Sequence, residues 1–243
     1  MRGLDFTFIG TGNAFAPNGS CYNGFLVGSR YLFEAPPTAV MAMNKLGVDI
    51  NELDTIVISH HHGDHFLGLP FVLLHWKFLG RTKPVRIVGP PGTRSLAEDI
   101  GTRVYPGLLD IDYEIEWVEA RPGEKVKAGA LHLEPVEVKH DLRLDWTLGY
   151  ACELDGRRFA YTGDSAYCDG VKDLARDVDV LVSECASLDD TIEVHMNLRD
   201  DIPRVRGLMR PDSHLILTHL GPNITDAGLP NTTIAKDYEH YHC

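Results

Sequence analysis

A mixed α/β fold is what this sequence predicts, on three observations. Runs rich in Val, Ile, Leu and Phe recur at strand length along the chain. Stretches of helical character, some with terminal Pro or Gly signals, lie between them. Several β-like runs finish on a histidine or aspartate, which places chemistry at strand ends. Strand-rich halves that each carry helices give the α/β assignment, and periodicity alone goes no further.

Leu4 to Ile9 reads as a strand that ends in the turn Gly10-Thr11-Gly12-Asn13. Tyr22 to Val27 and Tyr31 to Phe33 flank Gly28-Ser29, a hairpin signal. Pro37 to Leu46 is rich in Ala and Met and predicts a helix closed by Gly47. Thr55 to Ile58 is a β-branched strand. Phe66 to Leu79 is apolar on most faces and predicts a helix with Pro70 in its first turn. Val85 to Val88 is a strand, and a helix follows from Thr93 to Val104. Ile111 to Tyr161 is mainly β, with turns at Arg121-Pro122-Gly123 and Asp155-Gly156. Val171 to Arg176 is a short helix, Val178 to Val182 a strand, Asp200 to Met209 a helix and His214 to Leu217 a last strand.

At 243 residues the chain fits a single domain, residues 1–243, with 225–243 as a turn-rich polar tail. That length buries a full core without disulfide staples. No run approaches 18 apolar residues, and the N-terminus lacks the apolar stretch of a signal peptide. The expected location is therefore cytoplasmic. Cys21, Cys152, Cys168, Cys185 and Cys243 are odd in number and form no C-x-x-C, which suits a reducing compartment. Cys168 follows Asp164 by four residues and is a candidate ligand, although burial as a small hydrophobe is the commoner fate. The net charge of −12 works against nonspecific nucleic-acid or anionic-membrane binding. Two divalent ions leave about −8.

The densest signal is Ser59-His60-His61-His62-Gly63-Asp64-His65, where four of 12 histidines fall within six positions. It reads as H-x-H-x-D-H. Neutral imidazole and carboxylate are ligands of zinc and similar divalent metals. An extended segment aims His60 and His62 to one side, and Asp64 with His65 reaches a second position. Further candidates close other β-runs: His140 after Val136 to Lys139, Asp164 after Tyr161-Thr162-Gly163, and His219 after Leu215 to Thr218.

H-x-H-x-D-H after an apolar strand, a later strand-end His, a T-G-D and a late T-H resemble the metallo-β-lactamase superfamily. Phe8-Ile9-Gly10-Thr11-Gly12-Asn13 with Tyr22-Asn23-Gly24 is similar to its ribonuclease Z branch. The resemblance covers residues 4 to about 222 and implies a four-layer αββα sandwich with metals at the strand ends. It implies that His60, His62 and His140 bind one metal, that Asp64, His65 and His219 bind a second, and that Asp164 bridges both. Two divalent ions follow, Zn²⁺ by donor chemistry, with Mn²⁺ or Fe²⁺ also suited. The implied reaction is hydrolysis by a metal-bridging hydroxide, with Asp64 orienting the nucleophile or taking its proton. His195 resembles the nonligand His of the ribonuclease Z branch and is the candidate general acid, with Glu184 orienting its ring. His61 is the variable position of the motif.

Relatives in this superfamily hydrolyse phosphodiesters, thioesters, lactones and β-lactams. The ribonuclease Z enzymes that process tRNA carry a long arm between the third metal-site His and the bridging Asp. Here His140 and Asp164 lie only 24 positions apart, and no P-x-K-x-G motif is evident. The expected substrate is a small phosphodiester such as a cyclic nucleotide or short oligonucleotide. Alternatives are tRNA 3′-processing, lactone or thioester hydrolysis, and a noncatalytic metal-binding or sensing domain. Lys139, Arg143, Arg199, Arg204, Arg206 and Arg210 flank the candidate site, either as a solvated face or as phosphate readers. A homodimer is a further expectation, with Phe66 to Leu79 serving as core or interface.

Overall fold

The computed structural model describes residues 3–243. Among the described residues, fourteen strands form two seven-stranded sheets, and six α-helices accompany them. The first half contributes β1 (Asp5–Gly10), β2 (Gly24–Val27), β3 (Tyr31–Phe33), β4 (Thr55–Val57), β5 (Val85–Gly89) and β6 (Ile115–Glu119). Its helices are α1 (Ala39–Leu46), α2 (Gly63–Phe66), α3 (Leu69–Phe78) and α4 (Thr93–Val104). The second half contributes β7 (Val126–Ala128), β8 (Leu131–Glu137), β9 (Leu148–Leu154), β10 (Arg157–Tyr161), β11 (Val180–Glu184) and β12 (His214–Thr218), with α5 (Asp169–Ala175) and α6 (Asp201–Leu208). Two late strands, β13 (Thr232–Ile234) and β14 (His240–His242), complete the set.

The sheet orders are β14-β1-β2-β3-β4-β5-β6 and β13-β12-β11-β10-β9-β8-β7. Each sheet mixes an antiparallel half with a parallel half, β3 to β6 in one and β10 to β13 in the other. Alternation along the strands sorts side chains into separate apolar layers. Phe6, Phe25, Phe33 and Val57 of one sheet meet Tyr150, Phe159, Tyr161 and Val182 of the other. Leu32, Ile56 and Ile87 point the opposite way, onto Met43, Leu69 and Trp76 under the helices. Ala160, Leu181 and Leu215 likewise meet Val171, Leu174 and Ile202. This is the αββα sandwich.

Two boundaries differ from the sequence reading. The helix expected from Phe66 is split, and Phe66 ends the one-turn helix α2. Gly68 separates the two because its backbone packs on the preceding loop: a Cβ there meets Pro36 O at 1.9 Å. Only one side of α3 is core. Leu69, Val72, Leu73 and Trp76 are buried, whereas Phe71 and Phe78 stay exposed beside Met41 of α1 in a groove of about 520 Å³. The tail is the second correction. Rather than turns alone, it adds β13 parallel to β12 and β14 antiparallel to β1, one edge strand to each sheet. Asp237 pins it, accepting from Thr11 N, Thr11 Oγ1 and Cys21 N. Among the described residues, no helix is long and apolar enough to cross a membrane.

Aromatic packing dominates the central layer. Phe25 and Phe33 stack at 4.9 Å, and Phe33 meets Phe159 edge-on at 5.7 Å. Phe33→Ala removes a fully buried ring from this contact and is expected to cost about 3–5 kcal/mol in urea unfolding. Phe78→Ala, on a side chain 69% exposed, should fall within about 0.5 kcal/mol of wild type. Equal effects of the two would contradict the layer assignment.

Candidate metal centre

The strands that run toward the seam between the sheets deliver the polar residues there. After β4, Ser59 to His62 stays outside regular structure, and Gly63 begins α2 with His62 as its N-cap. The motif thus changes from extended to helical between its two pairs of candidates. Asp164 lies in the loop after β10, behind Gly163, whose φ is 59°. A Cβ on Gly163 meets Leu148 O at 2.6 Å, so the turn needs glycine on both counts. His140 falls three residues beyond β8 rather than on its end, tethered by Ala166 N donating to Lys139 O. His219 directly follows β12 with φ 50°, a left-handed conformation that costs a non-glycine residue about 1–3 kcal/mol.

All seven proposed ligands converge. His60, His62 and His140 form one group whose ligand atoms lie within 4.8 Å of one another, and Asp64, His65, Asp164 and His219 form a second. Asp164 Oδ2 sits between them. It is 3.1 Å from His219 Nε2, 3.3 Å from His65 Nε2, and 3.9 Å from both His60 Nε2 and His140 Nε2. Asp64 Oδ2 lies 3.3 Å from His65 Nε2 and 3.4 Å from His219 Nε2.

The donor set fits divalent metal. His60 Nε2, both ring nitrogens of His65, Asp164 Oδ1 and His219 Nδ1 are buried and find no hydrogen-bond partner among the described residues. Leaving such atoms unpaired is costly unless something else coordinates them. Five imidazoles and two carboxylates are suitable ligands. Cys168 is outside both groups, with its Sγ against Ser165 Oγ at 3.5 Å.

Burial and the neighbouring charges act on these groups in opposite directions. Burial pushes His60 well below the usual imidazole range, and the nearby His65 adds to the effect. Burial also opposes charge on His65, but Asp164 and Glu34 outweigh it and hold that ring well above the usual range. For Asp164 burial favours the neutral acid, yet His219 and His65 overcome it and keep the carboxyl ionised.

Outer partners orient the rings. His60 Nδ1 bonds Ser59 Oγ at 2.8 Å, and His140 Nδ1 donates to Val194 O at 3.1 Å. His65 Nδ1 faces Glu34 Oε1 at 3.4 Å, and Glu34 Oε2 accepts from Ser59 N. Glu34 is fully buried with φ 66°. The sequence reading missed it and also Asp141. A charged residue closing the apolar run Tyr31-Leu32-Phe33 was the available signal for the first.

His195 and Glu184 come together as expected. His195 Nδ1 lies 2.8 Å from Glu184 Oε1, and Glu184 also accepts from the backbone N–H groups of Ser165, Ala186 and Met196. The His195 ring lies over the centre, 4.8 Å from the His140 ring and 5.4 Å from that of His219. His61 points away and bonds Thr93 Oγ1 at 2.8 Å. The basic flank is largely paired. Arg143 binds Asp141, Arg199 binds Asp189, and Arg204 binds Asp201 while covering Tyr167. Arg206 caps the carbonyls of Pro230, Arg210, Pro211 and Ser213, and Arg210 pairs with Asp179 at the end of β11 remote from Glu184. Those two arginines are structural rather than phosphate readers.

A family model described as the beta-lactamase superfamily domain matches residues 29–220. The chain belongs to this superfamily. Within it, the chain is 24% identical to ribonuclease Z of Methanosarcina acetivorans, over 92% of this chain and 89% of that one. It is 29% identical to ribonuclease Z of Pyrobaculum calidifontis, over 92% and 88%. The metallo-β-lactamase fold protein YhfI of Bacillus subtilis superposes with a TM-score of 0.81 at 20% identity, over 99% of this chain and 100% of that one. The short form of human tRNase Z gives 0.79 at 21% identity, over 98% of each. The tRNA-binding arm is absent: Asp141 to Gly163 holds only a short loop and the β9–β10 hairpin.

Asp164→Ala should lower bound divalent metal, measured by elemental analysis, well below the wild-type stoichiometry. Unchanged stoichiometry removes Asp164 from the centre.

Proposed function

We propose that this superfamily member is a dinuclear metal-dependent hydrolase of small phosphodiesters, such as a cyclic nucleotide or a short oligonucleotide. The observation that carries the reading is Asp164 Oδ2, within 3.9 Å of imidazoles from both ligand groups. His60, His62 and His140 would hold one ion, and Asp64, His65 and His219 the other, with Asp164 shared. Ions bound there lower the pKa of water and stabilise negative charge on a phosphoryl oxygen, which Zn²⁺, Mn²⁺ and Fe²⁺ all do.

The chain's own groups do the rest. Asp64, with its side chain 10% exposed, would orient the attacking water or accept its proton. His195 would protonate the leaving oxygen. Burial alone lowers its pKa, but the Glu184 carboxylate outweighs burial and lifts it to about 9. That contact commits Nδ1 to Glu184 and leaves Nε2 free to donate.

The relatives named ribonuclease Z make tRNA 3′-processing the second reading. Two observations favour the smaller substrate. The arm is missing, and the loop before His195 exposes Asp190 and Glu193, which repel a polyanion. A noncatalytic metal-binding or sensing domain is the reading from another class.

Metal-loaded protein is expected to hydrolyse bis(p-nitrophenyl) phosphate, with a higher kcat/KM on small diesters than on precursor tRNA. His195→Ala should keep its metal and lose about 10²–10⁴-fold in kcat. An unchanged kcat removes His195 from the reaction. Preference for precursor tRNA restores the second reading. Full metal occupancy with no turnover of phosphodiesters, lactones or thioesters supports the noncatalytic one.

A further inference from the structure

His62 differs from the other six proposed ligands in two respects. Its side chain is 35% exposed, against 0–3% for His60, His65, His140, Asp164 and His219 and 10% for Asp64. Burial therefore fixes the others and leaves this ring the freest to turn. Its ring is also reversed. His60 and His140 present Nε2 to the centre and tie Nδ1 outward. His62 presents Nδ1, 3.1 Å from His140 Nε2, and turns Nε2 outward to Asp141 Oδ2 at 3.3 Å. A half-turn of the ring takes Nδ1 away from the centre.

We propose that Asp141 is the positioning residue that keeps His62 Nδ1 directed into the first metal position. An acceptor on Nε2–H holds the ring in place and keeps the proton off Nδ1, as carboxylate–histidine–metal arrangements do generally. Asp141 is itself braced. Its Oδ1 accepts from Arg143 N at 3.0 Å and from Arg143 Nε at 2.8 Å, while Oδ2 takes the second guanidinium arm. The backbone N–H of Arg143 supplies the local restraint, and its guanidinium, 89% exposed, adds less. The connectivity adds a structural consequence. Asp141 follows His140 in the chain, so one dipeptide after β8 supplies a ligand and secures another that arrives from β4 of the opposite sheet. The first metal position therefore depends on the sheets staying in register across the seam.

This inference rests on the metal assignment proposed above. Its test is a competition titration of wild type, Asp141→Ala, Asp141→Asn and Arg143→Ala with Co²⁺ or Zn²⁺ against a chelator. Long-range ¹H–¹⁵N NMR of the metal-free proteins reports the His62 tautomer alongside. The expected result for Asp141→Ala is selective: one metal equivalent unchanged, the other weakened about 10–100-fold, and loss of the single Nε2–H tautomer. Asp141→Asn keeps an acceptor oxygen and should fall between. Arg143→Ala should shift affinity less than Asp141→Ala. Two equivalents at wild-type affinity in Asp141→Ala, with the His62 tautomer intact, overturn the inference and leave the metal centre standing. A wild-type protein that takes up no divalent ion overturns both.

Discussion

Everything at the seam between the two sheets follows from one cost, that of burying imidazole and carboxylate atoms without partners. His60 Nε2, His65 Nε2 and Asp164 Oδ1 are removed from water and find no hydrogen-bond partner among the described residues. A protein interior normally pairs such groups. Here they face one another around one carboxylate instead, an arrangement that suits divalent cations. The backbone bears part of the cost as well. Glu34 and His219 both adopt left-handed φ, and both belong to the site or its immediate support.

The sandwich provides the rigidity such a site needs. Central aromatic packing locks the sheets face to face, and two contacts fasten them beside the centre: Leu148 N donates to Ser59 O, and Tyr150 OH donates to Ile58 O. Ligands from β4 and from the loops after β8, β10 and β12 can then meet within a few ångströms although they are far apart in sequence. The same framework places His195 over the centre while its Glu184 partner is held by three backbone N–H groups at the end of β11.

The side chains that converge at the seam were legible in the sequence because each announces itself locally, as part of a clustered motif or as a polar residue closing an apolar run. His140 shows the limit of that logic. It was found by strand-end reasoning, yet it lies three residues past β8. Glu34 and Asp141 were missed because their roles exist only through contacts with His65 and His62, which no local pattern encodes. The α2–α3 break was hidden for a similar reason, since Gly68 is needed for its approach to Pro36 rather than for any helix-ending signal. Polar composition made 225–243 look like turns, but strand pairing supplied by β1 and β12 outweighs the weak local propensity of so short a segment. The arginines after His195 were ambiguous until the fold showed Arg206 and Arg210 committed to carbonyls and Asp179.

The central claim is that two cations share Asp164. Anomalous diffraction from metal-loaded crystals tests it most directly. The account predicts two peaks about 3.5–4 Å apart, one reached by His60, His62 and His140, the other by Asp64, His65 and His219, with Asp164 touching both. A single peak, or two that Asp164 does not join, would contradict it.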